Sequence, residues 1–184
     1  MMCGSKQGNG LVKNINIKSK KMQELINKLS SYNLLNYLFP GIIFVVLLKE
    51  TTDYDWLQSN ILEGVFLYYF IGLVINRIGS LIIGPILEKL NFIMPKTPER
   101  YYEALKKDTK IDVLSETNNM FRSISAVFFV LIFFVIFELS GLHMNWENGI
   151  TRVIVLSLIF ILLIFSYRKQ IILIGRRVDA NLKN

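Results

Sequence analysis

The sequence predicts an all-α membrane protein with four transmembrane helices, two of which extend into a small helical cytoplasmic head. Apolar residues make up 52% of the 184 residues, and they gather in four blocks, at 33–49, 61–83, 121–140 and 150–167. Nineteen of the 21 Lys and Arg residues lie in residues 1–32, 77–122 and 168–184, which are the amino-terminal segment, the middle loop with the block ends next to it, and the tail. The positive-inside bias therefore places both termini and the long middle loop in the cytoplasm.

The third block argues against a water-soluble arrangement of the same helices. Its phenylalanine-rich run Ser125–Leu139 leaves no polar face to meet water. The first 30 residues contain no apolar core of the length that a cleavable signal peptide needs. We therefore expect a helical membrane protein that keeps its amino-terminal segment.

Two segments precede the first block. Residues 1–16 are rich in Gly and Asn and predict a flexible tail. Residues 17–32 predict a basic amphipathic helix, because Met22, Leu25, Ile26 and Leu29 recur at helical spacing among lysines. Such a helix can lie on anionic lipid, or it can act as a gate or plug for the membrane helices.

Residues 33–90 predict the first two transmembrane helices and a cytoplasmic extension of the second. Pro40 removes the helical hydrogen bond to the carbonyl of Asn36, which predicts a bend. Within lipid, a freed carbonyl needs a partner, so Asn33 and Asn36 are expected on a side that faces protein or water. Alternatively, Pro40 simply fits the packing of the helices.

The second helix is longer than a bilayer requires. A helix over residues 61–90 would measure roughly 45 Å against a hydrocarbon core of about 30 Å. It should project into the cytoplasm or bend at Gly84-Pro85. Gly64, Tyr68, Gly72 and Gly79 share one face, which predicts close packing against another helix.

The remaining segments predict the helical head and the last two spans. In the insert 91–120, Thr97-Pro98 indicates the start of a helix over 98–107, and a second helix runs from about Ile111 into the third span. Residues 121–167 hold the third and fourth transmembrane helices. Residues 168–184 form a basic helical tail with one apolar stripe, formed by Ile171, Ile174, Val178 and Leu182.

Catalytic chemistry is not expected. The sequence contains no phosphate-binding glycine loop, no convincing pair of carboxylates and no metal-binding cluster, so no enzyme activity, metal or cofactor is predicted. Glu138 and Arg152 lie near the outer ends of the third and fourth spans, where they can pair across the loop.

The basic head predicts a site for a phosphate-bearing ligand. Arginine forks and lysines attract phosphate, and aromatic rings can stack on the bases of a nucleotide. The alternative is a solvated, lipid-facing collar of charge that only sets the topology. The candidate ligand-binding residues are Lys96, Arg100, Tyr101, Tyr102, Lys106, Lys107, Lys110, Arg122, Arg168, Lys169, Arg176 and Arg177.

Three short motifs carry a resemblance to a known group of proteins. They are Asn33–Phe44 (NLLNYLFPGIIF), Arg77 at the end of the second span, and Asn118–Ser123 (NNMFRS) at the end of the insert. With this layout the chain resembles small four-span membrane effectors of bacterial anti-phage nucleotide-signalling systems such as Hailong. The resemblance implies a bacterial inner-membrane pore whose opening depolarises an infected cell. It also implies a partner nucleotidyltransferase that makes an oligonucleotide signal, but it assigns no binding residue.

Three functions remain open from the sequence. The first is a homo-oligomeric ion channel, with a tetramer as the expected assembly, gated by a nucleotide or oligonucleotide at the head. Its candidate pore or gate residues are Asn33, Asn36, Pro40, Tyr68 and Asn76. The second is a non-conducting anchor or scaffold for a cytosolic partner, and the third is a holin-like toxin that perforates the membrane without a ligand.

Overall fold

The computed structural model describes residues 34–140 and 146–182. The predicted flexible tail, the amphipathic helix and Asn33 lie outside the described residues. Within the described ranges every regular element is helical and there is no strand. The elements are α1 (Phe39–Thr51, after a π-helical turn Leu34–Leu38), α2 (Ile61–Lys89), α3 (Pro98–Lys107), α4 (Lys110–Ser140) and α5 (Trp146–Leu182).

Three of these helices, α2, α4 and α5, are long and apolar enough to cross a membrane. They contain 29, 31 and 37 residues. At 1.5 Å per residue, α5 is about 55 Å long, well beyond a hydrocarbon core of about 30 Å. This length confirms the prediction that the last apolar block continues as one helix through the tail.

Both prolines of the amino-terminal half follow a π-helical turn. Pro40 and Pro85 have no N–H for the carbonyl four residues back, so the hydrogen-bond ladder must change register before them. Leu34–Leu38 precedes Pro40, and Gly79–Ile83 precedes Pro85. At the second site the Gly84 N–H donates to the Gly79 carbonyl, five residues back, and α2 then continues to Lys89.

α2 ends in a turn that returns the chain towards α5. The N–H of Phe92 donates to the Leu87 carbonyl and that of Asn91 to the Glu88 carbonyl, each at 2.9 Å. Asn91 has a φ of 54°, which asparagine tolerates better than most residues at a helix end. The turn carries Phe92 to the ring of Phe165, 5.4 Å away, and buries Ile93 beside Tyr167 and Ile171.

The core is built around α4. Val127, Leu131 and Val135 are fully buried along one side of it, where they meet Val45 and Leu48 of α1. Two glycines of the predicted face of α2 pack closely against other helices, Gly72 against the segment of Tyr37 and Gly41, and Gly79 against α4, whereas Gly64 meets Tyr68 of its own helix. Gly64, Gly72 and Gly79 are all buried, and a Cβ at Gly79 would lie 3.1 Å from the Arg122 carbonyl oxygen of α4.

At the end opposite α3, polar groups hold the segment that follows α1. Glu138, which is 5% exposed, accepts a hydrogen bond at 2.8 Å from the Asp53 N–H. Arg152 donates to the Thr51 carbonyl at 2.9 Å. The two residues predicted to pair across the loop therefore both bind this one segment, Thr51–Asp53. A Lys49–Asp55 ion pair of 2.8 Å adds to the same region.

Candidate ligand-binding site

The candidate site lies at the polar end, by which we mean α3, the first turns of α4 and the last turns of α5. α3 begins as predicted, with Pro98 in the first turn and Thr97 extended before it, although the Thr97 side chain makes no capping bond. Its fully buried Ala104 packs with Ile111 of α4 and with Ile174 and Val178 of α5. This small apolar cluster fixes the three helices against one another.

An ion pair fixes the corner between α3 and α4 to the end of α5. Arg177 Nε donates to Asp108 Oδ2 at 2.5 Å, and the Asn181 side-chain amide donates to the same oxygen at 3.3 Å. Lys107 Nζ donates to the Asn181 carbonyl at 3.0 Å. The bond from Arg177 holds the pKa of Asp108 below its ordinary value.

A second acidic residue binds the start of α3. Asp179 accepts from Lys96 Nζ at 2.7 Å through one oxygen and from Arg100 Nη2 at 3.0 Å through the other. Lys96, Arg100 and Arg177 were all predicted to bind ligand, and each has an acidic partner within the chain. Their charge is partly neutralised, so their first role is to hold the polar end together.

Other predicted ligand residues keep their charge exposed. Lys106 ends α3, Lys110 begins α4, and Lys169 and Arg176 lie on α5. All four are exposed, and none has a carboxylate partner among residues 34–140 and 146–182. Lys106 and Lys110 flank the Asp108–Arg177 pair in sequence. They therefore present two exposed positive charges at the corner between α3 and α4.

The two tyrosines of α3, Tyr101 and Tyr102, differ in how much of each ring is exposed. Their rings meet edge to face at 5.6 Å between centroids. Tyr101 is half-buried against the apolar cluster, whereas Tyr102 is 62% exposed. Only the Tyr102 ring offers a broad surface for stacking of a base.

Two further predicted residues lie closer to the membrane helices. Arg168 is exposed and its guanidinium lies 4.6 Å over the ring of Phe92. Arg122 is half-buried beside Tyr167 and Asn118. Within the described part of the chain its Nε has no hydrogen-bond partner. Arg122 is thus separate from the exposed corner formed by Lys106 and Lys110.

Of the pore candidates that the structure describes, Asn36, Pro40 and Asn76 are buried within the protomer and Tyr68 is half-buried. Asn36 and Pro40 are buried in the amino-terminal helix. Asn76 is 7% exposed and donates to Ser123 Oγ of α4 at 2.6 Å. The half-buried Tyr68 accepts a hydrogen bond from the Gln58 N–H at 2.9 Å through its hydroxyl. A water path along Asn76 would therefore first have to break its bond to Ser123.

The acidic residues of the polar end were missed by sequence reasoning. Asp108 and Asp179 organise the cluster, yet neither was singled out. A usable signal existed, because Asp179 is the only acidic residue in the tail and Asp108 interrupts a run of lysines. No group of three or more His, Cys, Asp or Glu residues suited to a metal ion occurs within the described ranges.

Comparison with protein-family models, with curated proteins and with solved structures found no match to this chain. Its function is therefore inferred from its residues and their geometry.

Proposed function

We propose that this chain is a homo-oligomeric membrane effector that forms a gated ion-conducting pore. A nucleotide or oligonucleotide bound at the polar end controls the gate, and the protein acts in bacterial anti-phage defence. In this proposal α1 supplies a fourth crossing of the inner membrane, and both termini and the polar end face the cytoplasm. The distribution of Lys and Arg in the sequence supports that orientation.

The apolar surface of the three long helices supports an oligomer in a bilayer. In the most apolar 18-residue stretch of α5, only 11% of the residues are buried within the chain. Within the described residues, the core along α4 is filled by apolar side chains such as Leu131 and Val135, which are fully buried. An ion path would therefore run between several copies around an axis, and a tetramer is the assembly we propose.

The buried positions of the pore candidates suggest that the structure corresponds to a closed gate. Asn76 is sequestered by Ser123, and Asn36 lies in the interior of the chain. In the proposed mechanism, a shift of α2 relative to α4 frees the Asn76 amide from Ser123 and turns it towards the axis. A ligand can drive that shift only by binding the open arrangement better than the closed one.

The exposed cations at the polar end are the observation that carries the ligand proposal. Lys106, Lys110 and Arg176 have no acidic partner within the described residues, although three neighbouring cations do. The paired cations hold the helices of the polar end together, and the unpaired cations remain available to bind phosphate. Because α3 and α5 are joined at Asp108 and Asp179, ligand bound at this corner would pull directly on α5 and, through it, on the membrane helices.

A binding measurement on charge variants tests the site. The triple variant K106Q/K110Q/R176Q should bind short oligonucleotides at least tenfold more weakly than the wild type, while expression and membrane insertion stay unchanged. The triple variant K13Q/K18Q/K20Q removes the same charge outside the polar end and should bind normally. Equal affinity in wild type and the first variant, or equal loss in both variants, would exclude the polar end as the site.

The defence role rests on the resemblance to effectors of nucleotide-signalling systems. It requires a nucleotidyltransferase as partner, which makes the ligand when a phage infects the cell. Cells that carry the chain together with such an enzyme should depolarise during infection, and cells with the K106Q/K110Q/R176Q variant should not. If cells with the variant are still protected against phage, ligand binding at the polar end is not needed for the defence.

A membrane anchor for a cytosolic protein is the second candidate function. Two exposed side chains at the polar end favour it, Tyr102 at 62% and Val113 at 60% exposure, because such residues are common at protein interfaces. Changing both to Ser should abolish recruitment of a protein partner if the anchor hypothesis is right. It should leave the salt dependence of oligonucleotide binding unchanged if Lys106, Lys110 and Arg176 form the site, and should lower affinity only through the lost stacking on Tyr102.

A further inference from the structure

An apolar groove runs along the membrane helices next to the polar end. It has a volume of about 420 Å³, and all the side chains that line it are apolar. Ile86 and Leu90 of α2 form one wall, Ile161 and Phe165 of α5 form the other, and Phe129 of α4 is at the base. Ile86 and Ile161 are each about half exposed, so the groove opens sideways towards the bilayer.

The turn after α2 closes one end of this groove with an aromatic ring and a cation. Phe92 lines the groove and packs edge to face on Phe165. Arg168 is exposed, and its guanidinium lies 4.6 Å over the same Phe92 ring. Lys89 lies in the last turn of α2, next to Leu90.

We propose that this groove binds one acyl chain of an anionic phospholipid, whose phosphate is held by Arg168. The arrangement is complementary to both parts of such a lipid. The apolar groove matches the acyl chain, and the exposed guanidinium at its end matches the phosphate. A volume of this size falls within the range of small-molecule sites, about 300–1,000 Å³. Basic groups at the ends of membrane helices commonly bind lipid head groups.

The head group, and not the tail, sets the selectivity of this site. An acyl chain gains little by leaving the bilayer for the groove, because lipid tails are as apolar as the groove's side chains. The planar guanidinium binds phosphate oxygens through two parallel hydrogen bonds, and it repels the ammonium of a zwitterionic head group. A phosphatidylglycerol should therefore be retained, and a phosphatidylcholine of the same chain length should exchange freely.

Native mass spectrometry of the purified full-length protein tests the site. Protein is equilibrated in micelles that contain equal amounts of phosphatidylglycerol and phosphatidylcholine, and the lipids that stay bound are counted. The wild type should retain phosphatidylglycerol about tenfold more often than phosphatidylcholine. R168Q should lose that preference, while K169Q, which removes the neighbouring charge, should keep it.

A second pair of variants tests the contribution of the apolar groove independently of the charge on Arg168. Ile161→Trp fills the groove and should reduce retention of both lipids, whereas Leu162→Trp adds the same ring at a residue outside the groove and should not. Elution of each variant at the wild-type volume in gel filtration confirms that it is folded. Equal retention of both lipids in all variants would overturn the proposal.

Disulfide cross-linking distinguishes a lipid site from a subunit interface. The I161C variant is prepared together with C3S, so that the introduced thiol is the only one in the chain. If lipid occupies the groove, two copies of this variant should not cross-link under oxidation in the membrane. A cross-linked dimer would make the groove a contact between copies and would overturn the proposal.

Discussion

Gly41 and Gly72 lie against each other where α1 crosses α2, closer than any residue with a side chain would allow. A Cβ on Gly41 would collide with the Tyr68 carbonyl oxygen of α2, and a Cβ on Gly72 would collide with the Tyr37 carbonyl oxygen. Such contact lets membrane helices associate through backbone packing when lipid offers no hydrophobic driving force.

Gly72→Ala should therefore destabilise the protein, even though alanine is a better helix former than glycine. We expect a loss of about 1–3 kcal/mol, typical of overpacking, and a lower midpoint of thermal unfolding in detergent. Gly84→Ala is the matched control. Apart from its sequence neighbours and the adjacent turn of its own helix, the nearest atom to a Cβ at Gly84 would be the Gly79 carbonyl oxygen, 3.6 Å away. A Gly72→Ala variant as stable as Gly84→Ala would contradict this crossing.

The hydrogen bond between Asn76 and Ser123 should couple α2 to α4. In a double-mutant cycle with Asn76→Leu and Ser123→Ala, we expect a coupling free energy of about 0.5–2 kcal/mol, the range found between membrane helices. Ser166→Ala is the control, since its hydroxyl bonds only the Leu162 carbonyl of its own helix. Additive effects of Asn76→Leu and Ser123→Ala would show that the two side chains do not interact.

The Asp108–Arg177 pair should make the polar end sensitive to acid. The pKa of Asp108 is lowered in the folded chain, so its contribution to stability is present above the ordinary value of 3.8. That contribution is lost as the pH falls through the lowered pKa. The difference in unfolding midpoint between the wild type and Asp108→Asn should be largest near pH 7 and should shrink towards pH 3. A difference that stays constant over this range would rule out the pair as its source.

Salt should weaken oligonucleotide binding in proportion to the number of phosphate contacts. For single strands the slope of log affinity against log salt concentration is about −0.7 for each contact. K106Q/K110Q/R176Q should therefore flatten the slope by about 2, whereas Tyr102→Ser should lower affinity without changing the slope. An unchanged slope in the triple variant would mean that these cations do not contact phosphate.

The helices were predictable because their signals are local. The helix start at Thr97-Pro98 predicted α3 over residues 98–107, and the last apolar block followed by a helical tail predicted the two parts that form α5. The tail was predicted to carry an apolar stripe of Ile171, Ile174, Val178 and Leu182, and the structure packs the last three against α3 and α4 and Ile171 beside Ile93 and Tyr167. Each of these features depends on residues within one or two helical turns of one another.

The partners of charged side chains were not predictable, because they depend on contacts between distant residues. Arg177 and Asp108 are 69 residues apart, and Lys96 and Asp179 are further apart still. The sequence alone does not distinguish the Lys and Arg residues that form ion pairs from those that stay exposed. Only the folded structure separates these two groups. The π-helical turn at Gly79 was also missed, since proline was expected to bend the helix and not to shift its hydrogen bonds.

A planar-bilayer recording of the purified full-length protein tests the central claim most directly. Current is recorded before and after oligonucleotide is added to one face, for the wild type and for K106Q/K110Q/R176Q. We predict discrete channel openings whose frequency changes with ligand on one face only, and a loss of that response in the variant. A silent bilayer under all these conditions, or a conductance that never responds to oligonucleotide, would contradict the proposal of a ligand-gated pore.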